Sequence, residues 1–264
     1  MQQPVYFISH GGGPWPWMRL GDRYAALRHF LTDLPRQLPE PPRAILVVSA
    51  HWESAELEVA TAAQPAMIYD YYNFPPETYQ VQYPAPGSPE LAAEVMALLQ
   101  DVGLKPQASP KRGFDHGVFV PLSVMFPEAA IPVVCVSQWQ HRDPELHMAL
   151  GRALAPLRAR GVLIIASGLS YHNLGLMDAA GRLPSQQFDQ WLQSTLLAHS
   201  GVARQQRLRD WEQAPAARIA HAQADHLVPL FVAAGAAERD AVQCVHHEQD
   251  GLRGHTTVSS FRWG

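Results

Sequence analysis

Two histidines stand where an apolar run of the sequence stops. His10 follows the run VYFIS and precedes three glycines in YFISHGGGPWPW, and His51 follows the run AILVVSA. Glycines allow backbone or ligand to approach closely, and three together cost more chain entropy than a turn requires. Because imidazole binds metal ions and exchanges protons near neutral pH, the two strand ends indicate a histidine-based metal or acid–base site.

Three further histidines fall near expected loops or element ends. His116 stands in RGFDHGVF, predicted to be a turn, His172 follows LIIASG by four residues, and His226 opens the apolar helical stretch in ADHLVPLF. Ligands of open α/β sheets bind at the carboxyl ends of the strands, so these side chains are candidates for one site. Of the other eight histidines, we expect the first five to be solvated and assign the last three no role: His29, His141, His147, His199, His221, His246, His247 and His255.

The common catalytic motifs do not account for these histidines. The chain has no HExxH and no phosphate-binding GxxxxGK[ST]. The HGGG at 10–13 is similar to an esterase oxyanion loop, but GLSYH at 168–172 ends in the wrong residue for a nucleophile elbow. Cys135 and Cys244 lack metal-ligand spacing and are expected to be small core residues in a reducing setting. A histidine-rich mononuclear metal site remains.

The composition is that of a globular protein. Hydrophobic residues make up 47% and charged residues 17% of the 264 residues, and the formal net charge is −4. This balance favours neither nucleic acid nor an anionic membrane as a partner. Apolar stretches stay below the roughly 18 residues of a membrane span, and the N-terminus lacks a signal-peptide pattern. We expect one domain over residues 1–264, a cytoplasmic location and an oligomeric state that the sequence leaves open.

Apolar runs alternate with segments of helical period, which predicts an α/β fold with a mostly parallel sheet flanked by helices. The predicted strands are VYFIS (5–9), AILVVSA (44–50), IPVVCVSQ (131–138) and GVLIIASG (161–168). The predicted helical segments are 23–34, 88–103, 145–161, 188–201 and 225–239. Residues 64–89 are rich in tyrosine and proline and have no clear period. We expect them to be a functional lid or wall, the alternative being an aromatic-rich surface hairpin.

Several segments resemble the third class of extradiol ring-opening dioxygenases, in particular the DOPA 4,5-dioxygenase-like branch. They run in family order through nearly the whole chain: ISHGGGP (8–14), VVSAHW (47–52), YDYYNFPPETYQVQYPAPGSPELA (69–92), GFDHGVFVPLSVMFPEAAIPVV (113–134), ASGLSYHNL (166–174) and DHLVPL (225–230). The resemblance implies non-haem Fe(II) held by His10, His51 and His226, with Zn(II) able to occupy the site in a purified sample. It also implies catalytic roles for His116 and His172.

This resemblance predicts an enzyme that opens a small catecholic substrate with O₂. Neutral imidazoles bind Fe(II) without adding charge, which preserves the Lewis acidity of the metal. Proton removal from the diol and later proton delivery suit histidine, whose ordinary pKa lies near neutral pH. Two other functions use the same residues: a zinc hydrolase with a metal-activated water, and a non-catalytic metal-binding relative.

Overall fold

Eight strands form one sheet in the part of the chain that the computed structural model describes, residues 2–251 and 255–264. In chain order they are β1 (Val5–Ser9), β2 (Ala44–Ser54), β3 (Glu58–Ala60), β4 (Gln107–Ser109), β5 (Val133–Trp139), β6 (Val162–Gly168), β7 (Val242–Gly251) and β8 (Thr256–Trp263). Their order across the sheet is β4-β3-β5-β2-β6-β1-β8-β7. The predicted α/β fold with a mostly parallel sheet is confirmed.

The four predicted apolar runs form the parallel centre of the sheet. β5, β2, β6 and β1 pair side by side in one direction, and every residue of β1, β5 and β6 is buried. Continuous apolar sequence suits strands that are covered on both faces. In the register, Ser167 of β6 pairs with Ser49 of β2, and Gly168 pairs with Ser9 of β1. The carboxyl ends of three strands therefore meet at one edge, where the candidate histidines follow.

The antiparallel edge formed by β7 and β8 was not predicted as strands. β8 pairs with β1 on one side and β7 on the other, and it buries several hydroxyl side chains. Ser260 Oγ accepts a hydrogen bond from the Ser9 backbone N–H at 3.0 Å, and Ser259 Oγ donates to Asp189 at 2.6 Å. These hydrogen bonds offset the cost of burying the hydroxyl groups, so β8 can be a core strand although half of its residues are serine or threonine.

Nine α-helices flank the sheet within the described ranges. They are α1 (Ala25–Asp33), α2 (Pro89–Asp101), α3 (His116–Met125), α4 (Pro144–Leu154), α5 (Pro156–Ala159), α6 (Ala179–Leu197), α7 (Gly201–Arg209), α8 (Ala217–Ala220) and α9 (Val228–Ala236). All five predicted helical segments contain helix, although 145–161 is divided at Pro156, which lacks an N–H, and α6 begins well before residue 188. α3 was not predicted. None of the described helices is both long and apolar enough to span a bilayer.

Two hydrophobic cores lie on opposite faces of the sheet. Along β1, Val5 and Phe7 join the core under α4, α6 and α9, whereas Tyr6 and Ile8 join the core under α1 and α3. Alternation along a strand sends neighbouring side chains to opposite faces, so one short run serves both cores. The strands that lead to the candidate site are therefore packed on both faces.

Residues 64–89 form an irregular segment that packs on α3 and ends at the first residue of α2. Before that residue, its one helical element is a short 3₁₀ turn at Pro76–Gln80. Backbone bonds tie it to the residues before α3, from Ile68 N to Phe114 O and from Phe114 N to Ala66 O, both at 2.8 Å. Tyrosine hydroxyls close the segment internally, since Tyr71 donates to the Thr78 carbonyl at 2.6 Å. The hairpin alternative is not formed.

Candidate metal centre

His10 lies directly after β1 and is buried at 1% exposure. Its Nδ1 is 2.9 Å from the Gly11 carbonyl oxygen, and its own carbonyl accepts a hydrogen bond from Trp15 Nε1 at 2.9 Å. Gly11 has a φ of +79°, and a Cβ there would lie 2.5 Å from Trp15 Cδ1. A Cβ on Gly13 would lie 2.7 Å from the Phe74 ring. The glycines after His10 are thus required by aromatic rings pressed against the turn.

His51 lies inside β2, which continues to Ser54, rather than after the strand as the sequence suggested. The register of β2 against β5 shifts between Val48 and Glu53, so the backbone is irregular where His51 leaves the sheet. The His51 Nδ1 is 3.3 Å from Asp70 Oδ2. The His51 ring therefore has an oxygen close to Nδ1.

His226 lies in the turn before α9, two residues ahead of the first helical residue. Its backbone carbonyl accepts a hydrogen bond from Leu169 N at 3.0 Å, and a Cβ on Gly168 would collide with that same carbonyl oxygen. Gly168 therefore lets the turn approach the end of β6. The His226 Nδ1 is 2.9 Å from Asp225 Oδ2.

The rings of these three histidines converge. Their centroids are 4.9 Å apart for His10 and His51, 5.3 Å for His10 and His226, and 4.8 Å for His51 and His226, and one nitrogen of each lies within 4.8 Å of the others. Nε2 of His10 and of His51 is buried and has no hydrogen-bond partner among the described residues. Each Nδ1 meets an oxygen, the arrangement that fixes a metal-ligating imidazole with Nε2 toward the ion. These residues fit a metal.

The rings of His10 and His51 favour the neutral form that a metal requires. Burial lowers the pKa of His10 and of His51 well below the ordinary value, and the neighbouring imidazoles, His116 foremost, lower it further. A neutral imidazole keeps the lone pair that a divalent cation binds. The electrostatics therefore agree with the geometry.

His116 is the first residue of α3, not part of a turn as the sequence suggested. Its Nδ1 lies 2.8 Å from Asp70 Oδ1, and its backbone N–H donates to the same oxygen at 2.9 Å. Asp115, the residue before His116 in the sequence, does not orient this ring. Asp115 instead accepts from Ser49 Oγ at 2.7 Å and pairs with Arg112, so the carboxylate bonded to this ring is that of Asp70.

His172 stacks on the His226 ring, with 3.4 Å between centroids and 18° between planes. Its Nδ1 is 4.0 Å from Asp225 Oδ1, and its backbone N–H donates to the Ala220 carbonyl at 3.0 Å. Burial, followed by the nearby His226, lowers the pKa of His172 to about 3. Burial raises the pKa of Asp225, but the bond with His226 opposes it and the result is about 2. A carboxylate thus faces both rings.

An ion pair between Arg112 and the buried Asp115 carboxylate lies next to His51 and the start of α3. The Asp115 carboxylate is 2% exposed and pairs with Arg112, whose guanidinium lies 4.7 Å from the centre of the Trp52 ring. Arg112 also donates to the His51 carbonyl at 3.4 Å, and a Cβ on Gly117 would lie 3.0 Å from the His51 ring. These contacts fix the backbone of His51 and the start of α3 together.

The aromatic wall differs in part from the predicted one. The Tyr71 ring lies 5.8 Å from His116 and 6.4 Å from Phe119, within the site wall. Tyr72, within the segment predicted to be a lid or wall, is 80% exposed, and Trp15 is buried beneath the glycine turn. Trp17 is 36% exposed and contacts Phe119 at 6.0 Å between ring centres.

Several histidines outside the site also differ from expectation. His147 and His221 are fully buried rather than solvated, with ring nitrogens bonded to backbone groups. His246, which was given no role, stacks on Phe30 at 5.1 Å. Asp70 is the residue that sequence reasoning missed. The only signal for it was an acidic side chain within an aromatic segment already suspected of walling the site.

Together these residues define a histidine–carboxylate centre at the carboxyl edge of an α/β sheet. The family model described as the catalytic LigB subunit of aromatic ring-opening dioxygenase matches residues 5–260. The chain therefore belongs to this family, whose enzymes are metal-dependent, and the predicted resemblance is confirmed at that level.

Individual relatives agree. The 4,5-DOPA dioxygenase extradiol of Beta vulgaris is 40% identical, covering 94% of this chain and 92% of its own. The dioxygenase tasH of Hapsidospora irregularis is 38% identical over 99% of this chain and 85% of its own. The crystal structure of an uncharacterized protein from Escherichia coli K12 superposes with a TM-score of 0.81 at 27% identity and covers both chains completely. The protein is accordingly a ring-opening dioxygenase at the level of its family.

Proposed function

We propose that the protein is an Fe(II)-dependent extradiol dioxygenase that opens a catecholic ring with O₂. In this reaction the carbon–carbon bond beside the diol breaks and both oxygen atoms enter a muconic-semialdehyde-type product. The observation that carries the proposal is the convergence of three imidazoles, two buried and that of His51 half-buried, whose Nδ1 atoms all lie near oxygens. The names of the relatives support the same reaction class.

His10, His51 and His226 would hold the metal through Nε2. When bound, Fe(II) supplies Lewis acidity toward a diol and a path for electrons between the ring and O₂. The three imidazoles add no charge, which suits an anionic substrate. Tyr71 and Phe119 would offer apolar faces to the aromatic ring of the substrate.

His172 and His116 would move protons without binding the metal. Nδ1 of His116 donates to Asp70, so its Nε2 carries the lone pair that can accept a proton. His172 lies flat on His226, which leaves its ring edge to meet the substrate. We assign the principal proton transfer to His172.

Two variants separate metal binding from proton transfer. His172→Phe should keep its iron, measured by metal analysis after anaerobic loading, yet lose on the order of 10²–10⁴-fold in O₂ uptake with a catechol panel. His10→Ala should lose both the iron and the turnover. His29→Ala, at an exposed position on α1, serves as the matched control and should lose neither.

Three results would contradict these assignments. Loss of metal from His172→Phe would make His172 a ligand. Ester or amide hydrolysis by the zinc form, without catechol turnover by the iron form, would favour a hydrolase. Metal binding with neither reaction would favour a non-catalytic relative.

A further inference from the structure

One carboxylate bridges a metal-ligand candidate and a proton-transfer candidate. Asp70 lies between the two rings, with Oδ2 3.3 Å from His51 Nδ1 and Oδ1 2.8 Å from His116 Nδ1. The ring centroids are 3.9 Å apart. We infer that Asp70 is a positioning residue that orients His51 and His116 as one unit, an inference that rests on the proposed function for the roles of the two histidines.

The chemistry of the carboxylate sets the tautomer of both rings. An ionised carboxylate only accepts hydrogen bonds, so the His116 Nδ1 that bonds to it must carry the hydrogen. The same carboxylate lies 3.3 Å from the His51 Nδ1 and favours a hydrogen there over a second lone pair. Nε2 of His51 is then the lone-pair atom, and it is the buried nitrogen without a partner in the described chain. Nε2 of His116 is the lone-pair atom by the same reasoning. Asp70 thus favours a free Nε2 lone pair on both rings, which can bind a cation on His51 and accept a proton on His116.

The backbone contributes a second restraint on His116. Asp70 Oδ1 also accepts the His116 backbone N–H at 2.9 Å, at the first residue of α3. The His116 ring and the first backbone N–H of α3 are therefore both hydrogen-bonded to one oxygen atom, Asp70 Oδ1. This bond is ordinary N-terminal capping, except that its acceptor comes from a segment 46 residues away in the chain.

The position of Asp70 explains why the aromatic segment reaches the centre. The neighbouring Tyr69 hydroxyl donates to the Val81 carbonyl at 2.7 Å, and Ile68 is bonded to Phe114, so the backbone on this side of Asp70 is fixed. Only 22% of the Asp70 side chain is exposed, so the carboxylate is partly shielded from water. The wall of the site and the orientation of its histidines therefore depend on the same stretch of chain.

A comparable contact on the other side of the cluster is looser. Asp225 bonds to His226 Nδ1 at 2.9 Å, but its other oxygen is 4.0 Å from His172 Nδ1. His172 is thus less tightly restrained by a carboxylate than His116. Asp70 is hydrogen-bonded to His116 and lies within 3.3 Å of His51, so both of its oxygens are closer to a ring than the second oxygen of Asp225 is to His172.

The test compares Asp70→Asn with Glu77→Gln, an exposed position in the same segment. An amide keeps one acceptor but presents N–H groups on its other atom, which conflicts with an Nδ1–H. We expect Asp70→Asn to bind Zn(II) about 10–100-fold more weakly in competition with a chromophoric chelator, the usual cost of removing such a partner. Asp70→Glu should recover part of this affinity, and Glu77→Gln should match the wild type.

A second measurement reads the tautomers directly and needs no variant. In ¹⁵N NMR of the Zn(II)-loaded wild type, the His116 ring should carry its hydrogen on Nδ1, and in Asp70→Asn this signal should shift toward the other tautomer. A wild-type His116 with its hydrogen on Nε2 would overturn the inference. Unchanged zinc affinity together with unchanged tautomers in a folded Asp70→Asn would overturn it as well.

These readouts do not depend on the reaction. If the iron form opens no catechol while Asp70→Asn still weakens Zn(II) binding and alters the tautomers, the proposed function fails and the positioning role of Asp70 stands. If catechols are opened but Asp70→Asn behaves as Glu77→Gln does, the positioning role fails alone.

Discussion

His147 links the stability of the protein to pH through a ring that cannot accept a proton without losing a bond. It lies in α4 and is fully buried. Its Nδ1 donates to the Asp143 carbonyl at 2.7 Å, and its Nε2 accepts the Trp139 backbone N–H at 3.1 Å at the end of β5. A hydrogen on Nε2 would face that N–H. Burial lowers the pKa of His147 to about 4.

The sign and size of the effect follow from proton linkage. In the unfolded chain a histidine protonates near pH 6.5, so between about 6.5 and 4 the unfolded state binds a proton that the folded state does not. Above pH 6.5 the neutral His147 ring makes its full contribution to the free energy of unfolding. That free energy decreases as the pH falls from about 6.5 to about 4. At about pH 5, some 1.5 units below the unfolded pKa, His147 alone should cost about 2 kcal/mol at about 1.4 kcal/mol per unit.

The assay is urea unfolding of the wild type and His147→Gln at about pH 7.5 and pH 5, where the expected cost is about 2 kcal/mol. At the higher pH the variant should be less stable by about 1–3 kcal/mol, because the Trp139 N–H loses its partner. At the lower pH this gap should shrink by about 2 kcal/mol, since glutamine takes up no proton. The comparison cancels the contribution of every other histidine. A gap that stays constant between the two pH values would refute the reasoning.

Two further substitutions test the supports of the site. Arg112→Met should lower the free energy of unfolding by about 3–5 kcal/mol, because it leaves the buried Asp115 carboxylate without its cation. Arg36→Met, at an exposed ion pair, is its control, and equal losses in the two variants would contradict a special cost of burial. Trp15→Phe removes the donor to the His10 carbonyl and should cost about 1 kcal/mol in chemical denaturation. It should also weaken zinc binding, and an unchanged zinc affinity would show that the turn holds His10 without it.

The sequence was sufficient to predict the parallel centre of the sheet and the sheet edge at which the candidate site lies. Continuous apolar runs are the local signature of strands buried on both faces, and VYFIS and GVLIIASG supplied it directly. Because the carboxyl ends of parallel strands share one edge, the same runs were enough to predict that His10 and His51 lie together. β8 escaped prediction because its serines and threonines are buried through partners in other elements.

Tertiary structure decided which oxygen the His51 and His116 rings approach, whereas the His10 and His226 rings meet oxygens of adjacent residues. Asp115 is adjacent to His116 in the sequence, yet its carboxylate pairs with Arg112, and the carboxylate bonded to the His116 ring belongs to Asp70, 46 residues away in the chain. The same holds for His147, whose helical context is typical of a solvated side chain although α4 packs it against the end of β5. Side-chain types and apolar periods are local properties that sequence displays. Hydrogen-bond partners and burial depend on which segments pack together. The sequence of one chain does not state how far apart two of its segments lie in the folded protein.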